Sequence, residues 1–150
     1  MTVRDTTDPA DADWGRLRAK LWPHCASAQH AREMAELLGK GGLAYLVQDS
    51  TGDTVGFVEV SIRREYVEGS TESPIAYIEG WFVEESSRKK GYGAALIRAA
   101  AAWAEKNGFA QLASDADMEN VTGVAAHAGV GFREVGRRVC FLIDLDGKRL

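Results

Sequence analysis

Residues 75–83 read I-A-Y-I-E-G-W-F-V, an alternating stretch rich in β-branched and aromatic residues, and this pattern predicts a strand. From about Gly91 to Asn107 the chain becomes alanine-rich, with apolar residues at helical spacing, which predicts a helix. Between the two lies Arg88-Lys89-Lys90-Gly91-Tyr92-Gly93, a basic, glycine-punctuated turn that opens the helix. The first N–H groups of a helix lack backbone partners and carry partial positive charge, so such a turn suits an anion. Glycine at 91 and 93 lets the backbone approach a ligand closely. Arg88, Lys89 and Lys90 add full charges, and the expected ligand carries a pyrophosphate or several phosphates.

The same reading extends along the chain. Residues 2–5 predict a short first strand. Asp8-Pro9 predicts a helix start, with Asp as the cap and Pro in the first turn. Trp14, Leu17 and Leu21, with Arg18 as a further candidate, follow at helical spacing as far as Trp22, and Pro23 stops this helix. Ser27 begins a second helix with Met34, Leu37 and Leu38 on its apolar side, ended by Gly39 and Gly41-Gly42. Residues 43–48 and 55–64 predict a hairpin around the turn 49–53, with Gly52 at a left-handed position. Residues 66–73 form a polar loop. After the alanine-rich helix, Asn107-Gly108 is a stop, residues 110–115 a short strand, and Met118-Glu119-Asn120 the opening of a helix to about Ala128. Residues 132–137 and 139–145 predict two last strands. The expected order is β-α-α-β-β-β-α-β-α-β-β, one α/β (α+β mixed sheet) domain over residues 1–150.

Composition narrows the classes. At 150 residues, with 45% hydrophobic and 27% charged positions, the chain suffices for one domain with a real core. Its apolar runs are too short to span a bilayer, and its first residues carry no apolar leader region, so a cytoplasmic protein is expected. Cys25 and Cys140 lack metal-ligand spacing and are expected to be free and packed, with no metal bound. A net charge of −4, from 22 acids and 18 bases, weighs against nucleic acid and suits a cationic substrate.

The phosphate turn lacks both the P-loop and the Gly-x-Gly-x-x-Gly spacings. It does match Arg/Gln-x-x-Gly-x-Gly/Ala, and a second motif runs from Asn120 to Gly131-Phe132. Together, in a strand–loop–helix order, these resemble the acetyl-CoA pyrophosphate loop and the Asn-x-x-Ala-x-x-x-Tyr-x-x-x-Gly-Phe signature of the GNAT superfamily of N-acetyltransferases. Tyr66-Val67-Glu68-Gly69, Ser73-Pro74, residues 78–83 and Ala113-Ser114-Asp115 further resemble the aminoglycoside 6'-N-acetyltransferases, a likeness running from about Trp22 to Leu142.

The resemblance implies roles by position. Trp22, Tyr66, Glu79 and Asp115 would line the aminoglycoside site. Trp81, Phe82, Val83, the loop residues Arg88, Lys89, Lys90, Gly91, Tyr92, Gly93 and Ala94, and Asn120 would contact acetyl-CoA. The family often has an acidic residue where this chain has Gly136, and Glu134 is the nearby candidate. His127 stands where the family has the tyrosine that protonates the departing CoA thiolate, and Gly123 stands where it has Ala. Two readings of His127 stay open here: a proton donor, or a helix-end residue facing the helix dipole. The chemistry suits these residue types. An amine attacks a thioester only when deprotonated, and a carboxylate such as Glu79 can take that proton, directly or through water. Glu79 and Asp115 supply counter-charge for a polycation. Backbone N–H groups at 81–83 can hydrogen-bond the thioester carbonyl. The implied route is direct transfer, since neither cysteine has a base nearby in sequence. Related enzymes pair or exchange their last strands, so a homodimer is expected. The alternatives are acetylation of another amine (a protein N-terminus, a polyamine or a metabolite) and a catalytically silent acyl-CoA-binding module.

Overall fold

The computed structural model describes residues 1–147, so the last three positions of the expected domain lie outside the described residues. One sheet runs through the molecule in the order β1 (Thr2–Thr6), β2 (Leu43–Gln48), β3 (Thr54–Arg63), β4 (Ile75–Val83), β5 (Leu112–Ala113). The first four strands pair antiparallel, and β5 joins β4 in parallel, which makes the sheet mixed as the pattern predicts. Among the described residues, four α-helices accompany the sheet: α1 (Ala12–Leu21), α2 (Ser27–Gly39), α3 (Tyr92–Lys106) and α4 (Val121–Gly129).

The alternation seen in the sequence decides which helix covers which face. Val58, Val60, Ala76 and Ile78 pack against Leu96, Ile97, Ala100 and Ala104 of α3. Alanine at 100 and 104 leaves no bulk between helix and sheet, and both residues are buried. Ala44, Leu46 and Phe57 face the opposite way and meet Trp14 and Leu17 of α1 and Met34 of α2. Each fully buried Leu or Phe of this kind contributes roughly 1.5–3 kcal/mol by leaving water.

Two features of β4 position the site. Its pairing with β3 shifts register at Glu59/Val60: Glu59 faces Gly80 while Val60 faces Ile78, so Glu79 is the extra residue of a bulge. Bulges re-aim a side chain relative to the regular pleat. On its other edge, β4 pairs with β5 only at Ala76–Leu112 and Tyr77–Ala113. Beyond Tyr77 that edge has no ladder, leaving a notch between residues 78–83 and the chain that continues from Ser114.

Several expectations are corrected. The first helix starts at Ala12, not at Asp8-Pro9; Asp11 is its cap and accepts from the Trp14 N–H at 3.1 Å, while Asp8 closes a preceding turn onto Ala10. A 3-10 turn at Glu85–Ser87 precedes the basic loop. The strand expected over 110–115 pairs at only two residues, because β5 then parts from β4. The last helix starts at Val121, with the Asn120 side chain accepting from the Gly123 N–H. The strands expected at 132–137 and 139–145 do not form: their alternation is real, but the segment pairs with neither β1 nor β5, the two terminal strands of the sheet, and Phe141 and Leu142 are 91% and 90% exposed. Cys140 is exposed rather than packed, and Cys25 is half-buried; both are free.

Candidate active site

The bulge places Glu79 on the α1–α2 side of the sheet, next to side chains from the adjoining strand. Glu79 Oε2 accepts from Ser61 Oγ at 2.6 Å and from Arg63 Nε at 3.0 Å, and Oε1 accepts from Arg63 Nη2. The Arg63 guanidinium also lies 3.5 Å above the Tyr77 ring. The Tyr77 hydroxyl donates in turn to Asp115 Oδ2. Burial, then the hydrogen bond and charge of Asp115, hold the Tyr77 phenol well above its usual range, so it stays a donor. The two carboxylates chosen from the sequence, 36 positions apart by number, are thus joined across the mouth of the β4–β5 notch through Arg63 and Tyr77. Neither linking residue was singled out from sequence, where Arg63 reads as a strand-end charge and Tyr77 as a core aromatic.

Trp22 closes one side. Its ring packs edge-on to Phe57, with centroids 6.4 Å apart, and a Cβ built at Gly80 would lie 2.6 Å from its Cη2. Glycine at 80 is therefore required for Trp22 to lie over β4. Behind it stands a buried charge network. Arg18 stacks 4.7 Å from the Trp22 ring, donates to both Glu59 oxygens at 2.5 and 2.7 Å, and reaches His30 Nδ1 and Glu33. The sequence sets Arg18 at helical spacing with Trp14, Leu17 and Leu21, but nothing local in it joins that residue to Glu59, 41 positions away on β3.

Burial is the largest influence on the Glu59 carboxyl and pushes it up from 4.5 to about 7, against the opposing charge and hydrogen bonds of Arg18. The folded state thus holds the Glu59 proton more tightly than the unfolded chain does. Its contribution to stability is full below about 4.5 and is lost as pH rises through about 7. Denaturant unfolding at pH 5 and pH 8 should show a fall of up to about 3 kcal/mol in the wild type that is absent from Glu59→Gln. An identical fall in both proteins would remove Glu59 as its source.

The remaining predicted residues sort by place. Trp81 points to the α3 side, where its Nε1 donates to the Gly93 carbonyl at 3.2 Å, tying β4 to the start of α3. Phe82 packs on Phe57 on the opposite side, and Val83 on the α3 side. In the basic loop, Lys89 has φ 63° and Gly91 φ 88°; Gly91 is the N-cap of α3, and Tyr92, Gly93 and Ala94 form its first turn. Arg88, Lys89 and Lys90 are exposed, and Arg88 Nε donates to the Val83 carbonyl at 2.9 Å. At ~3.3 Å per residue, β4 carries its unpaired edge about 13 Å from Val83 back to Glu79. A ligand anchored on the loop can lie along that edge and deliver its far end to the carboxylates. His127 on α4 lies edge-on to Trp81 at 5.1 Å and bonds Ser114 Oγ at 2.8 Å. Asn120 uses its oxygen to cap α4, leaving its amide N–H₂ group to donate elsewhere.

Two predicted substrate residues are not brought to this cluster. Tyr66 is 76% exposed and donates to Glu68, and Glu134 pairs with Arg137 on the exposed final segment. That segment and the 66–70 loop touch each other: a Cβ at Gly69 would meet Val135 at 2.6 Å, and Arg138 lies 3.5 Å from Glu68. A polar cavity of about 550 Å³, lined by Asp13, Arg16, Asp49, Thr54 and Glu84 among others, includes none of the residues chosen from sequence.

Residues 10–132 match the model of the acetyltransferase (GNAT) family. The aminoglycoside N(6')-acetyltransferase type 1 of Stenotrophomonas maltophilia is 38% identical over 146 residues, covering 97% of this chain and 94% of that protein. The enzyme of the same name from Serratia marcescens is 38% identical over 142 residues, covering 94% and 97%. Among solved structures, the apo aminoglycoside 6'-N-acetyltransferase AAC(6')-IG of Acinetobacter haemolyticus superposes with a TM-score of 0.86 at 35% identity, covering 97% of this chain and all of that one. AAC(6')-Iy bound to a bisubstrate analogue, CoA-S-monomethyl-acetylneamine, gives a TM-score of 0.87 at 30% identity, covering 95% and 97%. The chain belongs to the acetyltransferase (GNAT) family, and within it is similar over nearly its whole length to the aminoglycoside 6'-N-acetyltransferases.

Proposed function

We propose that this protein transfers the acetyl group of acetyl-CoA to the 6'-amino group of aminoglycosides, and so confers resistance to them. The observation that carries this reading is the linking of Glu79 to Asp115 through Arg63 and Tyr77 at the mouth of the β4–β5 notch, where β4 has a free edge that runs toward the basic loop. Relatives named as aminoglycoside 6'-N-acetyltransferases support the substrate class. Acetylation turns an ammonium into a neutral amide and so removes a charge that binding to anionic targets uses.

In this reading the backbone N–H groups of Gly91 and the first turn of α3, with Arg88, Lys89 and Lys90, hold the pyrophosphate. The unpaired β4 edge at Trp81, Phe82 and Val83 hydrogen-bonds the pantetheine amides and the thioester oxygen. Asn120 adds a contact from the start of α4. Trp22 forms a wall for a sugar face, and Asp115 pairs with a substrate ammonium. Glu79 already accepts from Ser61 and Arg63, so it takes the amine proton through a bridging water. Tyr66 and Glu134 belong to the outer rim, where the 66–70 loop meets the final segment. Aminoglycoside-dependent release of CoA thiol, set against release with polyamines and with peptide N-terminal amines, tests the reading. Release confined to polyamines or peptides would replace it.

Acetyl-CoA supply places the activity in the cytoplasm. The working unit in this proposal is a homodimer. Phe141 and Leu142 are almost fully exposed in a segment with strand alternation and no strand partner in its own chain, and a second copy offers one. Light scattering at micromolar concentration should give twice the chain mass, and Phe141→Asp should give the monomer. A monomer mass for the wild type would refute the dimer.

A further inference from the structure

His127 has both ring nitrogens engaged. Nδ1 lies 2.7 Å from the Gly123 carbonyl oxygen, which can only accept, so Nδ1 carries a hydrogen. Nε2 lies 2.8 Å from Ser114 Oγ. Trp81 and Phe132 pack on the ring with centroids at 5.1 and 5.2 Å. Among the described residues, the Ser114 hydroxyl is the group placed to take a proton that leaves this imidazole from Nε2. Ser114 is the first residue beyond β5, at the point where that strand parts from β4, and it directly precedes Asp115. Ser114 thus begins the wall of the notch that faces the unpaired β4 edge, and its hydroxyl meets a ring that packs on Trp81 of that strand. Hydroxyls relay protons well because one oxygen both donates and accepts, and the exchange needs only rotation about its own bond.

We propose that Ser114 is the proton donor to the departing CoA sulfur and that His127 recharges it; this rests on the acetyltransferase reading. As the carbon–sulfur bond breaks, its electron pair goes to sulfur, and sulfur takes the Ser114 Oγ proton. In the same movement the Nε2 proton of the His127 imidazolium passes to Ser114 Oγ. The hydroxyl is regenerated, and a neutral imidazole remains with its Nδ1 hydrogen still on the Gly123 carbonyl. His127 takes a proton back from solvent before the next turnover, matching the one the substrate amine has released. Gly123 and Trp81 orient the ring, and the direct contact with the reacting sulfur belongs to Ser114.

The test compares Ser114→Thr with Ser114→Val, two side chains of one shape that differ in the hydroxyl. Turnover with acetyl-CoA and a 6'-amino aminoglycoside should fall about 10²-fold in Ser114→Val, the lower end of what a general acid contributes, and stay within about 3-fold of wild type in Ser114→Thr. His127→Ala should cost a similar factor, and the His127→Ala/Ser114→Val double variant no more than about 3-fold beyond either single one, because the two act as a unit. Michaelis constants and calorimetric acetyl-CoA affinity should not move, which also certifies that each variant is folded. Equal turnover in the Thr and Val variants would overturn the proposal. So would multiplying losses in the double variant, or an acetyl adduct on Ser114 by intact mass, which would make the serine a nucleophile. Absence of aminoglycoside-dependent CoA release by the wild type would instead refute the functional reading itself.

Discussion

Gly91→Val should lower acetyl-CoA affinity by about 10²-fold or more. Gly91 sits at φ 88° and ψ 0° as the N-cap of α3, a conformation that a β-branched residue adopts only with strain. Strain of this kind costs on the order of 1–3 kcal/mol, and the chain escapes it by re-folding the turn, which points the first N–H groups of α3 away from the ligand. Gly93→Val should act through a second route. A Cβ there would lie 3.3 Å from Trp81 Cζ2, and a branched side chain must displace the indole that holds the Gly93 carbonyl. Lys89→Ala removes a charge from an exposed side chain and leaves the backbone amides in place. It should weaken binding by less than about tenfold, with an effect that shrinks as salt rises. Calorimetry at two salt concentrations separates these outcomes. Glycine variants that bind acetyl-CoA normally would show that the loop does not hold the pyrophosphate.

Glu79→Gln should lower turnover by about 10²–10³-fold while leaving acetyl-CoA affinity unchanged. Glutamine keeps the shape and can still accept from Ser61, but it cannot take a proton from the attacking amine. The lost ion pair with Arg63 has little effect on folding, because both side chains are about 30% exposed and such pairs are worth roughly 0–1 kcal/mol. Asp115→Asn makes a different split. It retains an acceptor for the Tyr77 hydroxyl but loses the charge, so it should raise the Michaelis constant for cationic substrates more than it lowers turnover, by about 1.5–3 kcal/mol in transition-state terms. Steady-state kinetics of the two variants side by side reads the division of labour. A turnover loss in Asp115→Asn as large as in Glu79→Gln would reverse the roles.

What was legible in the sequence follows the range of the forces involved. The β4 alternation, the α3 spacing and the glycine pattern of residues 88–93 are local, and each reads off a window of the chain. The element order holds as far as α4. Most of the misreadings occur where distant parts decide. Residues 132–145 carry strand alternation, but no strand of their own chain pairs with them. Residues 110–115 pair over only two positions because β5 leaves β4. Asp8-Pro9 looks like a helix start, yet Asp11, three residues on, has its carboxylate placed to cap Trp14. In the site, Glu79 is legible through the family resemblance, but the bulge that turns it and the Arg63 that binds it come from pairing with β3. Arg18 and Glu59 are 41 positions apart and form a buried pair that no local pattern marks. Ser114 is a short polar residue at a strand end, and only its 2.8 Å approach to His127 gives it a role.

The central claim is tested most directly by a matched pair of aminoglycosides that differ only in a 6'-amino or a 6'-hydroxyl group, each incubated with acetyl-CoA and the protein. The account predicts that the 6'-amino compound releases CoA and gains an acetyl group at that nitrogen by NMR. The 6'-hydroxyl compound should bind, seen as competitive inhibition, without being acetylated at that position. Equal CoA release from the two compounds would contradict the regiochemistry.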